Sequence, residues 1–152
     1  MSHKLLLVVA AALVDPGGRI LLAQRPEGKQ LAGLWEFPGG KIDPGETPEA
    51  ALVRELAEEL SITVKEEELK PLTFASFTYP TFHLLMPLYG CESWTGDIHP
   101  REGQAIAWVE PEKLREYPAP PADIPLFDWL LEQAEKTKDA PAVPPSAPLE
   151  AR

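Results

Sequence analysis

Between Gly39 and Ile62 the chain reads GGKIDPGETPEAALVRELAEELSI, and this stretch constrains the fold more than any other. Thr47 offers an N-cap hydroxyl. Pro48 follows at the first helical position, where its missing N–H costs nothing. A helix is therefore predicted from Pro48 onward. At about 100° per residue, Val53, Leu56, Ala57 and Leu60 are expected on one side, with Glu55, Glu58 and Glu59 opposite. Asp43-Pro44-Gly45 reads as a tight turn that brings Glu46 back toward the helix start. Like charges this close destabilise an isolated helix by a few tenths of a kcal/mol per pair. A hard cation removes that cost, because Mg²⁺ takes oxygen ligands and is held by one or two carboxylates together with substrate phosphates. The plainer reading is a solvated acidic face.

The spacing of these residues favours the first reading. Gly40, Glu46, Arg54, Glu55, Leu56, Glu58, Glu59 and Ile62 resemble the Nudix box, in which G, five residues, E and seven residues precede R-E-U-x-E-E-x-G-U, U being aliphatic. Ser61 stands where the family has its last glycine. That position serves the turn leaving the helix, so a serine retaining positive φ there costs about 1 kcal/mol and leaves the carboxylates untouched.

A chain of 152 residues is long enough for one domain with a real core. With 14 basic against 24 acidic residues, net charge −10, it is unsuited to nucleic acid polymers or anionic membranes. The single Cys91 excludes an internal disulfide and suits a reducing, cytoplasmic setting, where it reads as a small buried hydrophobe. The apolar run after His3-Lys4 resembles a short signal peptide. It reads better as a buried first strand bounded by Asp15-Pro16-Gly17-Gly18, and it is too short to span a bilayer.

In chain order, strands are predicted over 5–14, 19–24 and a short 62–64. The strip Leu34 to Gly40 reads as a strand end delivering backbone N–H groups to a ligand. A hairpin, 72–79 and 82–91, is expected around Pro80-Thr81, then a loop over 94–104, a strand over 105–109 and a short helix over 111–116. A last helix is expected over 122–136, with Asp123 near its N-cap and Ile124, Phe127, Leu130, Leu131 and Ala134 as its apolar stripe. The domain is expected to end at 136, with 137–152 a flexible Pro/Ala-rich tail. Strands on both sides of a helix, followed by a hairpin and a final helix, fit an α+β protein. The resemblance makes this an α/β/α sandwich, the Nudix fold, with a mixed β-sheet between helices.

The resemblance extends to LAQRPEGKQLAGLWEFPGGKIDPGET, to Arg101-Glu102-Gly103-Gln104 and to the segment 117–125, all similar to the MutT-type branch. It implies Mg²⁺-dependent hydrolysis (Mn²⁺ being a possible substitute) of nucleoside triphosphates to a monophosphate and pyrophosphate. Water attacks a phosphorus, and oxidised nucleotides such as 8-oxo-dGTP are among the substrates, which prevents mutation. Carried over by position, Gly40, Glu55, Glu58, Glu59 and Glu102 hold or position metal, and any of Glu58, Glu59 and Glu102 can serve as base. Glu102 also reads as an exposed loop acid. Arg25 contacts phosphate, as a guanidinium fork suits. Gly39, Gly40 and Lys41 border the substrate, and Phe37, Phe77, Tyr79 and Phe82 are candidates for stacking on a base, or core residues. Glu46 and Arg54 read as structural.

Asp123 replaces the Asn that the 8-oxoguanine-preferring member carries. An ionised carboxylate only accepts, so it suits the cytosine amino group as well as guanine N1–H and N2–H₂; a proton gained in a dry pocket restores a donor toward O6. It also reads as a helix N-cap. CTP or modified dCTP is therefore the alternative substrate, and a non-catalytic base-recognition module is the alternative class. The implied partner is a small nucleotide, for a monomer or homodimer.

Overall fold

The structure is a computed structural model and describes residues 4–28 and 31–139. The strands are β1 (Lys4–Leu13), β2 (Ile20–Gln24), β3 (Trp35–Glu36), β4 (Gly39–Lys41), β5 (Lys70–Thr78), β6 (Phe82–Cys91) and β7 (Ile106–Val109); the helices are α1 (Pro48–Leu60) and α2 (Ile124–Asp139). Four strands form a mixed sheet in the order β4-β1-β6-β5, with β1 parallel to β6. A second, antiparallel sheet has the order β3-β2-β7.

The period-two alternation of β1 builds two cores. Val9, Ala11 and Leu13 pack with Leu52, Leu56 and Leu60 of α1, while Ala10 and Ala12 pack with Leu126, Phe127 and Leu130 of α2. β2 divides in the same way, Leu21 toward α1 and Ile20 and Leu22 toward α2. The sheets therefore lie between two helices, the α/β/α sandwich expected. Fully burying one such leucine contributes about 1.5–3 kcal/mol, so these faces set the position of α1 against β1 and β4.

The predicted hairpin forms, β5 antiparallel to β6. The 111–116 segment is a 3-10 helix, Pro111–Glu116. In place of a strand over 62–64 there is one bridge, Thr63 to Thr95, because too few residues separate the exit of α1 from the next turn to build a ladder. α2 runs past the expected end at Lys136 to Asp139, and Leu126, absent from the predicted stripe, is buried. The rest of the expected tail, 140–152, and positions 29 and 30 of the loop after Arg25 lie outside the described residues. Cys91 is buried, its thiol donating to the Ser93 carbonyl at 3.1 Å.

Candidate active site

α1 begins as its sequence dictates. Thr47 Oγ1 accepts from the Ala50 N–H at 3.1 Å, with Pro48 behind it. The predicted division of its faces needs correction. Counted from the buried Leu52 at about 100° per residue, Glu59 falls within about 20° of it and Ala57 about 140° away. Accordingly Ala57 and Glu58 are exposed and Glu59 is half-buried; Val53 is half-buried against the core as expected, and Ala51 and Leu52 join Leu56 and Leu60 in the buried face. Glu59 thus points at the sheet. Its Oε2 accepts from the Gly39 N–H at 3.1 Å, so that N–H serves the chain's own acid and not a ligand.

The two glycines have separate steric causes. Gly39 has φ +153, and a Cβ there would stand 2.0 Å from the Val9 carbonyl oxygen, so only glycine lets β4 lie on β1. At Gly40 a Cβ would stand 2.4 Å from Cδ of Glu55, so the missing side chain is the space in which that carboxyl sits. Arg54 holds the outer side: Nε and Nη2 donate to Glu46 at 2.8 Å each, Nη1 to Glu55 at 3.0 Å and to Glu58 at 3.4 Å, and Nη2 to the Lys41 carbonyl at 3.1 Å. The Arg54 bonds and the Asp43 N–H hold the Glu46 carboxyl down at about 2. Glu46 and Arg54 brace the helix to its preceding turn.

A cleft of about 110 Å³ opens beside Glu59, lined also by Arg25, Glu36, Phe37, Glu102 and Gln104. Burial pushes the Glu59 carboxyl up to about 8, against the Gly39 N–H, and the charges of Glu55, Glu36 and Glu102 add to the rise. Burial also raises Glu55 and Glu36. Glu36 was not singled out in sequence. The register that pairs Ala23 with Glu36 across β2 and β3 brings it to Arg25, whose Nη1 donates to it at 2.9 Å. Its place directly before Phe37 in the short strip after the Arg25 loop was the available signal.

Among the described residues no three acids converge closely enough to hold a metal ion by themselves. The donor set nonetheless fits Mg²⁺, which needs only one or two carboxylates when phosphates complete its shell. The cavity above Gly40 that Glu55 fills, and the mutual repulsion at Glu59, are what a cation would relieve.

Behind Phe37 lies Asp123, 5% exposed. Its carbonyl accepts the Phe127 N–H at 3.0 Å in the first turn of α2. Its carboxyl crosses to the Phe37 N–H at 3.5 Å instead of capping a helix amide. Burial and the Glu36 charge push it up to about 8, the Phe37 N–H and Arg25 opposing. Tyr79 Oη accepts from the Ala122 N–H at 3.2 Å and its ring stacks on Phe82 at 5.0 Å. Phe37 borders the cleft, but its ring is packed edge-on to Phe127 at 5.4 Å, and Phe77 tilts against Tyr79 at 4.8 Å. The structure therefore brings Arg25, Phe37, Glu59 and Glu102 to one cleft with Glu55, Gly39 and Gly40 beside it. Lys41 and Glu58 stay on the exposed rim, and Phe77 packs with the α2 core.

Residues 9–129 match the sequence profile described as "NUDIX domain". A CTP pyrophosphohydrolase of Escherichia coli K12 is 41% identical over 123 residues, 81% of this chain and 90% of that protein. An 8-oxo-dGTP diphosphatase of Haemophilus influenzae Rd is 41% identical over 133 residues, 88% and 96%. Among solved structures, the E. coli ORF135 protein superposes with a TM-score of 0.76 at 36% identity, over 91% of this chain and 96% of that one. A MutT chain from a comparison of the Aliivibrio salmonicida and Vibrio cholerae proteins gives 0.73 at 34%, over 86% and 99%.

Proposed function

This chain belongs to the Nudix family, and from that premise we propose that it is a Mg²⁺-dependent nucleoside triphosphate pyrophosphohydrolase whose preferred substrates are oxidised purine nucleotides such as 8-oxo-dGTP. The observation that carries the reading is one cleft in which Arg25 faces Glu36, Glu59 and Glu102, with the buried Asp123 behind Phe37. Arg25 binds the polyphosphate. Gly40, Glu55, Glu58, Glu59 and Glu102 hold the cation, which when bound neutralises phosphate charge and makes water more acidic. A glutamate within hydrogen-bond reach of the attacking water takes its proton, and Glu58, Glu59 and Glu102 are the candidates. The products are a nucleoside monophosphate and pyrophosphate. A cytoplasmic monomer or homodimer acting on free nucleotides serves this purpose by clearing mutagenic precursors.

Asp123 decides between the bases. Neutral at pH 7, its carboxyl donates to a purine O6 and accepts from N1–H, the pair of bonds that an Asn would make. Ionised, it only accepts, which suits the cytosine amino group; the equal identity to a CTP pyrophosphohydrolase keeps CTP or modified dCTP as the second reading. The test is a steady-state panel of 8-oxo-dGTP, dGTP, dCTP and CTP with Mg²⁺ and with EDTA, scoring pyrophosphate against phosphate. Preference for 8-oxo-dGTP with pyrophosphate release supports the proposal. Preference for cytidine nucleotides keeps the chemistry and overturns the substrate, and no turnover of any favours a non-catalytic base-recognition module.

A further inference from the structure

Ser61 departs from the family pattern at the end of the acidic helix, and its hydroxyl has a specific neighbour. Ser61 sits in the left-handed region, φ 62 and ψ 27, and its N–H donates to the Ala57 carbonyl. The next two carbonyls back along α1 are taken by a distant loop. The His99 N–H donates to Leu60 O and the Arg101 N–H to Glu59 O, each at 2.9 Å. Thr63 and Thr95 exchange two further bonds of 2.9 Å, and Gly96 packs so closely that a Cβ there would stand 3.2 Å from Ser61 O. From the same loop Arg101 Nη1 donates to Ser61 Oγ at 3.3 Å. Glu102, which borders the cleft, is the next residue.

We propose that Ser61 and Arg101 are positioning residues that hold Glu102 over the cleft, which rests on Glu102 acting there as set out above. The backbone bonds to α1 hold the loop at His99 and at the Arg101 N–H, both before Glu102; beyond them the Glu102 N–H donates to Gln104 Oε1 at 2.9 Å and the Gly103 N–H to the Pro100 carbonyl at 3.3 Å, bonds that shape the turn without attaching it to the helix. A second attachment through the Arg101 guanidinium fixes that residue at two points on the exit of α1. The peptide that carries Glu102 then has one orientation relative to Glu59. Glycine at position 61 has no acceptor for this purpose, so the serine exchanges backbone comfort for a side-chain tether.

The experiment compares Ser61→Gly, Ser61→Asn and Arg101→Ala, each also in a Glu102→Gln background, by kcat and KM for the best nucleotide, with amide exchange over 100–104. Ser61→Gly relieves positive φ and so keeps the fold intact. The expected results are a kcat lower by roughly three- to tenfold, the worth of about one hydrogen bond, an unchanged KM and faster exchange in the loop. Asn, which tolerates the left-handed region and offers an acceptor, restores both. With Glu102→Gln present, Ser61→Gly causes no further loss. Wild-type kcat and exchange in Ser61→Gly, or an equal loss in both backgrounds, overturns the tether while leaving the role of Glu102 standing. A fully active Glu102→Gln overturns that role and the tether with it.

Discussion

Replacing Asp123 with Asn tests whether the buried carboxyl is neutral at physiological pH. In the folded chain it titrates at about 8, against 3.8 for an unperturbed group. Between those values the folded state carries a proton that the unfolded chain has released. The stabilisation from this proton is fully present below pH 3.8, declines by up to ~1.4 kcal/mol per unit, and is gone once pH passes about 8. Integrated from pH 6 to pH 9, the wild type loses roughly 2–3 kcal/mol through this one group. Asn does not titrate, and groups that do not feel the Asp123 charge titrate alike in both proteins and cancel in the difference, leaving Asp123 with its smaller coupling to Glu36 and Tyr79. Urea unfolding at pH 6, 7, 8 and 9 should show the stability of Asp123→Asn relative to wild type climbing by roughly 2–3 kcal/mol, most of it before pH 8. Turnover of an oxidised purine should fall above pH 8 in the wild type relative to the variant. A stability difference that stays flat across this range would refute the neutral acid, and the purine reading would lose its physical basis.

Glu59→Gln should lower kcat by about 10²–10⁴-fold with the fold intact, since a glutamine oxygen can still accept the Gly39 N–H; circular dichroism and steady-state assays check both halves. Glu58→Gln, on the exposed rim, should weaken Mg²⁺ activation in a metal titration, and unchanged turnover would remove Glu58 from the proposed metal set. Gly40→Ala should displace the Glu55 carboxyl, 2.4 Å from the new Cβ, and lower turnover about 100-fold, as misplacements near 1 Å do; wild-type rates would show that Glu55 is not needed in its observed place. Leu52→Ala should cost about 2–5 kcal/mol in urea unfolding, because Leu52 is fully buried between α1 and β1.

Local rules were legible in the residues themselves. Thr47 and Pro48 start α1 where the capping chemistry requires, Pro80-Thr81 turns the hairpin, and Ser61 adopts the positive φ that the glycine-requiring position implied. Helix-wheel reasoning fails at Glu59 because the stripe through Val53, Leu56, Ala57 and Leu60 extends to the exposed Ala57 and leaves out the buried Ala51 and Leu52. Only packing shows that β1 lies over Leu52 and Leu56.

The sequence by itself determined where α1 begins, that its acids lie three and four residues apart, and that two glycines precede them. Each follows from interactions within a few residues. Tertiary structure decided which acids face inward, that Glu36 pairs with Arg25, and that Asp123 turns to Phe37 instead of capping its helix. Those outcomes depend on desolvation and on strand register across distances of up to 86 residues, and neither can be read from local spacing, because the environment of a charge is set by whatever packs against it.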